Sequence, residues 1–161
     1  TKSCMNANES LMYYYINYIL KEILPAAEFP NYYIFPQVSI YSFIKVHSSL
    51  EQDESEYASR NYWAKSIDFV ICYCHKADRQ YLYTPVLLME LDGSSHFSSS
   101  KYGAKTFRRQ QENDRFKDSL FSDLDIPLIR FQIPDNHLTR KDLPRLRQLL
   151  SEYFPRQSQN K

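Results

Sequence analysis

The sequence predicts one α/β domain with a mixed central sheet flanked by helices. Three segments carry apolar residues at helical spacing, and four short segments have the apolar, β-branched or aromatic composition of strands. Two of these strands, at residues 67–74 and 85–91, are almost continuously apolar, which is typical of strands covered on both faces. We therefore expect these two strands at the centre of the sheet, in the element order α-β-β-β-α-β-α.

The first half of the chain is predicted to contribute one helix and three strands. The helix covers residues 8–24, with Asn8 as its N-cap and Pro25 as its end. The strand at residues 33–40 contains Pro36, and a proline inside a strand indicates a sheet edge or a bulge. Residues 47–62 are polar and acidic, so we expect them to leave the core as an excursion before the two central strands begin.

The second half adds two helices and one strand. A Ser-rich loop at residues 94–103 leads into a helix at residues 106–124, and a buried strand follows at residues 127–133. The closing helix is expected over residues 140–154, and residues 155–161 are expected to form a flexible tail. A chain of 161 residues is long enough for one domain with its own core, so residues 1–161 are taken as a single domain.

The composition is typical of a globular protein, with 43% apolar and 24% charged residues. The long apolar stretches are interrupted by polar residues, and the shorter continuous ones cannot cross a bilayer. We therefore expect neither a membrane span nor a signal peptide. The chain starts at Thr1 without an initiator Met, which indicates a domain cut from a longer protein that has further domains.

The cysteine content favours a reducing compartment. Three cysteines cannot all pair, and Cys72 and Cys74 lie too close on one strand to bridge comfortably. We therefore expect free thiols and a cytoplasmic location. A zinc site formed by these cysteines and His75 would lack a fourth ligand at the usual spacing, so burial as small apolar side chains is favoured.

Charge is unevenly distributed although the net charge is only +1. Residues 51–56 are acidic, whereas residues 101–117 are rich in lysine and arginine. A phosphate polymer responds to the local density of cations and not to the net charge. A nucleic acid is therefore expected to bind the second half of the chain, through the basic residues Lys101, Lys105, Arg108 and Arg109.

Three acidic residues lie at the ends of the two central strands. Because side chains alternate along a strand, Glu90 and Asp92 point to the same face, and Asp68 opens the neighbouring apolar strand. Burying an ionised carboxylate is costly unless it is paired or ligated. A hard divalent cation such as Mg²⁺ meets this requirement, since it prefers carboxylate, carbonyl and water oxygens.

A simpler interpretation treats each acid separately. Asp92 would then belong to a turn after a strand, and Asp68 and Glu90 would form structural ion pairs. The candidate partners are Lys65, Lys117 and Arg130. The metal site is favoured by the conjunction of the acids with His96, four residues past Asp92, and with a polar stripe on the following helix. That stripe consists of Gln110, Asp114 and Lys117.

The residues around these acids resemble a known superfamily. An α-β-β-β-α-β order, with an aspartate on the second strand and an acidic box on the third, is similar to the PD-(D/E)XK, or restriction-endonuclease-like, nucleases, which cut DNA or RNA with Mg²⁺. Residues 90–96 have the form E-x-D-G-x-x-H, which resembles branches similar to very-short-patch-repair endonucleases. Other matching segments within residues 9–131 are QVSI at 37–40, SIDFV at 66–70 and IPLIR at 126–130.

This resemblance implies roles for individual residues. Asp68 and Glu90 would be metal ligands, with the main-chain carbonyl of Leu91 as a third. Asp92 stands where the superfamily's common pattern has a lysine, which orients the attacking water or stabilises developing charge. That departure bears directly on catalysis.

Other residues would orient the attacking water and stabilise developing charge in place of this lysine. Asp92 would bind the metal, His96 would act as general base and Lys117 would provide the positive charge from the helix. Glu9, in the first turn of the first helix, would correspond to an acid that some members of the superfamily direct at the metal.

The sequence thus predicts a Mg²⁺- or Mn²⁺-dependent phosphodiester hydrolase that acts on nucleic acid, with DNA favoured over RNA and internal cleavage favoured over cleavage from an end. An alternative is a catalytically weak or inactive nuclease-like module that binds nucleic acid or a partner chain, and Asp92 in the lysine position supports it. A third is a scaffold domain, favoured if Arg130 and Lys65 pair the acids.

Overall fold

A four-stranded sheet in the order β1-β2-β3-β4 forms the centre of the domain. The computed structural model describes residues 5–46, 65–93, 99–133 and 137–154, of which residues 44–46, 99–107 and 109 are described by their backbone alone. The β1–β2 and β2–β3 pairs are antiparallel and the β3–β4 pair is parallel. The predicted α/β class, the mixed sheet and the adjacency of the two central strands are therefore confirmed. The strands are β1 (Tyr32–Ser39), β2 (Ser66–Ala77), β3 (Gln80–Gly93) and β4 (Leu128–Ile133).

Helices cover both faces of this sheet. One core contains apolar residues of the first and last helices together with Phe69, Met89 and Phe131, and a second core contains Val70 and Leu88 under the other two helices. Because the buried strand residues alternate between the two cores, β2 and β3 are covered on both faces as predicted. The helices are α1 (Ala7–Ile23), α2 (Ile40–Val46), α3 (Ser99–Asp123) and α4 (Leu143–Tyr153), and single 3₁₀ turns span Phe29–Asn31 and Arg140–Asp142.

The start of α1 differs from the prediction by two residues. Asn6 is the N-cap: its side chain accepts a hydrogen bond from the Glu9 main-chain amide at 2.9 Å, and the Glu9 carboxylate accepts one from the Asn6 main-chain amide. The predicted cap, Asn8, instead accepts a hydrogen bond from the Leu138 amide at 3.1 Å. This contact ties the beginning of α1 to the segment that follows β4.

Helix α2 was not predicted, because its residues have the β-branched and aromatic composition of a strand. Ile40 and Phe43 lie three positions apart on the helix and both are buried in the second core. The main-chain amide of Ile40 donates to the Lys65 carbonyl at 3.0 Å, so the chain turns away from β1 at this residue. Tertiary burial has overridden the local strand propensity here.

Strands β2 and β3 form a hairpin that is longer than predicted. Its turn residues, Asp78 and Arg79, both have positive φ angles, of 45° and 70°. Two consecutive positive φ angles are typical of the tight turn that matches the twist of a hairpin, but glycine or asparagine usually occupies such positions. The absence of glycine, and the polar residues at the hairpin tip, hid this turn from the sequence pattern.

Among the residues that the structure describes, no helix is long and apolar enough to cross a membrane. Strand β1 is an edge strand of the sheet, as Pro36 indicated. The predicted acidic excursion at residues 47–62 and the predicted tail at residues 155–161 lie outside the described residues.

The thiols of Cys72 and Cys74 are free and buried, as predicted. Burial, with a smaller contribution from the neighbouring Cys74, raises the pKa of Cys72 to about 11. Since the thiolate is the reactive form, Cys72 should be slow to react, and burial should also keep reagents from Cys74. In a Cys4→Ser variant, Ellman's reagent at pH 8 should modify the native protein roughly tenfold or more slowly than the denatured protein. Rapid stoichiometric modification of the native protein would contradict the buried placement.

Candidate metal centre

A row of polar side chains crosses all four strands of the sheet. Gln37 lies between two residues of β1 that pair with Phe69 and Ile67, so it faces Asp68 across the β1–β2 pair. The β2–β3 pairing reaches Phe69 opposite Met89, and one further step places Asp68 opposite Glu90. Glu90 in turn pairs with Arg130 of β4. Each strand therefore contributes one polar residue to the row, which consists of Gln37, Asp68, Glu90 and Arg130.

The row lies on the sheet face that is covered by α3. Leu88 of β3 and Leu128 of β4 pack in the same core as Leu120 and Phe121 of α3. Side chains two positions further along these strands point to the same face, so Glu90 and Arg130 are directed towards α3. The polar row thus borders the apolar contact between helix and sheet.

The Asp68 carboxylate is held by two hydrogen bonds. Its Oδ2 atom accepts from the main-chain amide of Leu91 at 2.9 Å, and its Oδ1 atom accepts from the side-chain amide of Gln37 at 3.3 Å. A carboxylate has about four acceptor positions, so these two donors fix its orientation without exhausting its capacity.

Gln37 begins the QVSI segment at residues 37–40, but the sequence did not indicate its contact with Asp68. Its Oε1 atom accepts a hydrogen bond from the Ser66 hydroxyl at 2.9 Å, which turns its amide nitrogen towards Asp68. The backbone at Gln37 has a φ of 52°, in the left-handed region. A non-glycine residue in this region costs of order 1 to 3 kcal/mol, and such positions cluster at functional sites. A side-chain pattern could not reveal this backbone conformation.

Glu90 is the most enclosed acid of the row, with only 7% of its surface exposed. Lys117 of α3 donates to its Oε1 atom, and Arg130 donates to its Oε2 atom at 3.2 Å. Burial raises the pKa of Glu90, Lys117 and Arg130 oppose that rise, and the charge of nearby Asp68 adds to it. The net effect is a raised pKa, so the two bound cations do not fully offset the burial of the carboxylate.

Lys117 and Arg130 also tie α3 to the sheet. The Lys117 ammonium, itself buried, donates to the Ser66 carbonyl at 3.1 Å as well as to Glu90. Arg130 donates to the Asp118 carboxylate at 2.7 Å and to the Asp114 carbonyl at 3.2 Å. Lys117 was expected to bring positive charge to the acids from the helix, and the structure places it there.

Two further predicted site residues, Asp92 and Glu9, lie in different parts of the fold. Asp92 is buried, with 9% of its surface exposed, two positions past Glu90 on the same strand. Both Glu9 carboxylate oxygens accept hydrogen bonds from Asn6 in the cap of α1, a helix that packs against the opposite face of the sheet from α3. The structure thus places Glu9 in a capping role rather than among the acids of the row.

The basic residues proposed to contact phosphate lie on α3, and Arg108 is exposed there. The side chains of Lys101, Lys105 and Arg109 are outside the described residues, although their backbone belongs to the same helix. His96 falls outside the described residues altogether. The roles of these residues therefore remain predictions.

Comparison with known proteins identifies the family. Residues 1–146 match the family model described as "Protein of unknown function (DUF2726)". The chain belongs to the DUF2726 family. No curated protein and no solved structure matches it. What this DUF2726 domain does must therefore be argued from its own residues.

The acids of the DUF2726 domain offer a set of hard oxygen donors. Asp68 and Glu90 bring two carboxylates together, and the main-chain carbonyl of Leu91 and the Asp92 carboxylate belong to the same strand end. Oxygen donors of this kind suit Mg²⁺ or Mn²⁺. Within the ranges that the structure describes, no group of three or more His, Cys, Asp or Glu residues is preformed as a metal site. The fit therefore rests on the donor chemistry of these residues.

The pKa of Glu90 gives a prediction for the DUF2726 domain in the presence of chelator. Because burial raises this pKa in the folded state, the stabilisation that it provides is complete below about pH 4.3, the pKa of an unperturbed glutamate. That stabilisation is lost as the pH rises through the folded-state pKa. The free energy of unfolding of wild type, relative to Glu90→Gln, should therefore decrease as the pH rises from 4 to 8, in urea titrations with EDTA.

The control for this comparison is Glu112→Gln, which removes an exposed carboxylate from α3, the helix that bears Lys117. A difference between wild type and Glu90→Gln that increased with pH would have the opposite sign. It would mean that Lys117 and Arg130 stabilise the ionised carboxylate by more than its burial costs.

Proposed function

We propose that this DUF2726 domain is a Mg²⁺- or Mn²⁺-dependent nuclease that hydrolyses phosphodiester bonds, with DNA as the favoured substrate and internal cleavage as the favoured mode. The observation that carries the proposal is the position of Asp68 and Glu90. They face one another on adjacent central strands, and Lys117 reaches Glu90 from a helix that also bears exposed basic residues. The resemblance to PD-(D/E)XK nucleases supports the same conclusion.

Asp68 and Glu90 would hold the ion, with the Leu91 carbonyl and Asp92 as further oxygen donors. A bound Mg²⁺ or Mn²⁺ lowers the pKa of a coordinated water and neutralises charge on the phosphate. The chain's own part is to orient these ligands. The Leu91 amide and the Gln37 side chain keep the Asp68 carboxylate in one orientation, so that less reorganisation is needed when a substrate arrives.

Lys117 would take over the role of the lysine that the superfamily's common pattern has at the position of Asp92. Its ammonium already lies beside Glu90, inside the cluster and not at the surface. A fixed cation in a site with little water stabilises negative charge that develops on a phosphate more strongly than one in bulk solvent. The lysine function would thus come from α3 instead of from β3.

The basic residues of α3 would position the nucleic acid. Arg108 is exposed on this helix, and Lys101, Lys105 and Arg109 lie on the same stretch of it. Lysine and arginine contacts to phosphate hold a strand in place without recognising its sequence. His96, the proposed general base, follows β3 on the chain, four residues past Asp92.

A second candidate is a nuclease-like module that binds nucleic acid without cutting it. The specific observation in its favour is that both oxygens of Glu90 already accept hydrogen bonds from cations, Lys117 and Arg130. Ion pairs can hold such a carboxylate without any metal. Asp92 in place of the lysine favours the same candidate.

An activity assay separates the two candidates. Wild type should cut nucleic acid with Mg²⁺ or Mn²⁺ and stop with EDTA, and Asp68→Asn and Glu90→Gln should lower the rate roughly 100-fold or more, because each removes a charged ligand. Lys117→Ala should also lower the rate, by roughly 100-fold, if its cation stabilises developing charge. The assay is a panel of plasmid, single-stranded DNA and RNA, incubated with each protein at equal concentration.

Asp78→Asn, which removes an exposed carboxylate at the hairpin turn, is the matched control and should keep wild-type activity. Asparagine at position 68 retains an oxygen that can accept from the Leu91 amide, so loss of activity will not simply report unfolding. If wild type cuts none of the substrates with either metal but still binds them, the binding module replaces the nuclease.

The role of Gln37 can be tested through metal affinity alone. Gln37→Ala should weaken Mn²⁺ binding by roughly 10- to 100-fold, because Asp68 loses a donor that orients it. Isothermal titration calorimetry measures the affinity, and Gln80→Ala, at an exposed glutamine of the hairpin, serves as the control. Equal Mn²⁺ affinity in wild type and Gln37→Ala would show that Gln37 does not orient a metal ligand.

A further inference from the structure

A cavity of about 650 Å³ adjoins the candidate metal centre. Val70 and Cys72 of β2 lie on its inner side, Phe43 comes from α2, and Phe35 and Tyr83 come from β1 and β3. Its volume lies in the range of about 300 to 1,000 Å³ that is usual for sites of small organic groups. A cavity of this size beside a candidate active centre is itself a candidate binding site.

Three aromatic side chains at this cavity and beside it remain exposed. The exposed fractions are 42% for Tyr33, 36% for Phe35 and 46% for Tyr83. The Tyr83 ring meets the other two edge to face, with centroid distances of 5.2 Å to Tyr33 and 5.5 Å to Phe35. A contiguous exposed aromatic cluster, unlike a single exposed ring, indicates a binding surface.

This aromatic cluster shares a sheet face with the candidate metal centre. Phe35 pairs with Val70 and Tyr33 pairs with Cys72, and both partners belong to the core under α2 and α3. Directly paired residues lie on the same face of a sheet. The rings and the acids therefore look out on the same side of the domain.

The distance between the cavity and the acids is short. Phe35 and Gln37 are two positions apart on β1, which corresponds to about 7 Å along a strand. Gln37 takes part in both sites, because it lines the cavity and donates to Asp68. A group bound in the cavity would therefore be one side chain away from the proposed metal ligands.

The chemistry around the cavity suits a nucleobase. Exposed rings offer flat faces for stacking, and the Ser39 and Ser42 hydroxyls and the Gln37 amide line the same cavity and can hydrogen-bond to base edges. Lys76 and Arg79 are exposed further along the β2–β3 hairpin, towards its tip. Aromatic side chains that stack on bases, together with cations that follow the backbone, are the usual means of binding single strands.

We propose that this cavity receives an unpaired base of the strand that is to be cut, so that the substrate class is single-stranded or locally unpaired nucleic acid. Bases within a duplex are stacked and paired, and they must leave the helix before they can enter a pocket. This inference deepens the proposed nuclease function, and the statement about cutting rests on it. The statement about binding does not, and it can be tested without metal.

The test measures binding of a fluorescently labelled single-stranded DNA by anisotropy, in EDTA so that no cleavage occurs. Phe35→Ala and Tyr83→Ala should each weaken binding by roughly tenfold or more, because each removes a stacking face. Tyr83→Phe keeps the ring and should retain affinity to within about twofold. An oligonucleotide of the same length and charge, composed of abasic sites, should bind all four proteins about equally, since it offers phosphates without bases.

The matched control is Tyr14→Ala. Tyr14 is also an exposed tyrosine, at 62%, but it lies on α1, which packs against the opposite face of the sheet. This variant should bind like wild type. Thermal unfolding of each variant separates loss of binding from loss of folding, and Tyr83→Phe provides a ring-retaining protein if an alanine variant is unstable.

Several outcomes would overturn the proposal. The proposal fails if Phe35→Ala and Tyr83→Ala both bind the single-stranded DNA as tightly as wild type. It also fails if these variants lose as much affinity for the abasic oligonucleotide as for the DNA, because the rings would then not contact bases. The same holds if wild type binds no oligonucleotide and forms a dimer that Phe35→Ala dissociates, since the surface would then bind a second copy. If wild type cuts nucleic acid but the variants bind as wild type does, the base site is overturned and the nuclease function stands. If binding depends on bases but wild type does not cut, the nuclease function is overturned and the base site stands.

Discussion

The burial of the Glu90 carboxylate is the constraint on which the rest of the site depends. A charge that is 7% exposed beneath a helix must be compensated, and the compensation comes from two separate elements. Lys117 comes from α3 and Arg130 from β4, while Asp68 adds a second negative charge from β2. The position of α3 on the sheet is thus fixed by charge as well as by apolar packing, through Lys117, Arg130 and their contacts with Ser66 and Asp118.

This compensation is incomplete. With two cations bound, the pKa of Glu90 still lies above its ordinary value. Perturbed carboxyl groups cluster at functional sites, but structural ion-pair networks perturb them too. The physical support for a bound divalent ion is therefore the donor chemistry of Asp68 and Glu90, which face one another on adjacent strands.

Much of the fold could be predicted from the sequence, and so could the acids. The apolar runs of β2 and β3 identified the central strands, and alternation placed Glu90 and Asp92 on one face. What escaped prediction was decided by backbone conformation or by tertiary burial. Gln37 and the Asp78–Arg79 turn adopt positive φ angles without glycine, and α2 forms from residues of high strand propensity because Ile40 and Phe43 are buried.

The polar row across the sheet also limits how the chain length can vary. The side chains of a strand alternate between faces, so an insertion or deletion of one residue moves every later side chain to the other face. A one-residue insertion or deletion in a strand, ahead of its member of the row, would turn that member to the opposite face of the sheet. The side chain would then lie among the residues of α1 and α4. The four members are Gln37, Asp68, Glu90 and Arg130. Differences in length among chains built on this plan should therefore accumulate outside these four strand segments, for instance at the hairpin tip around Asp78, where an added pair of residues leaves the registration of the row intact.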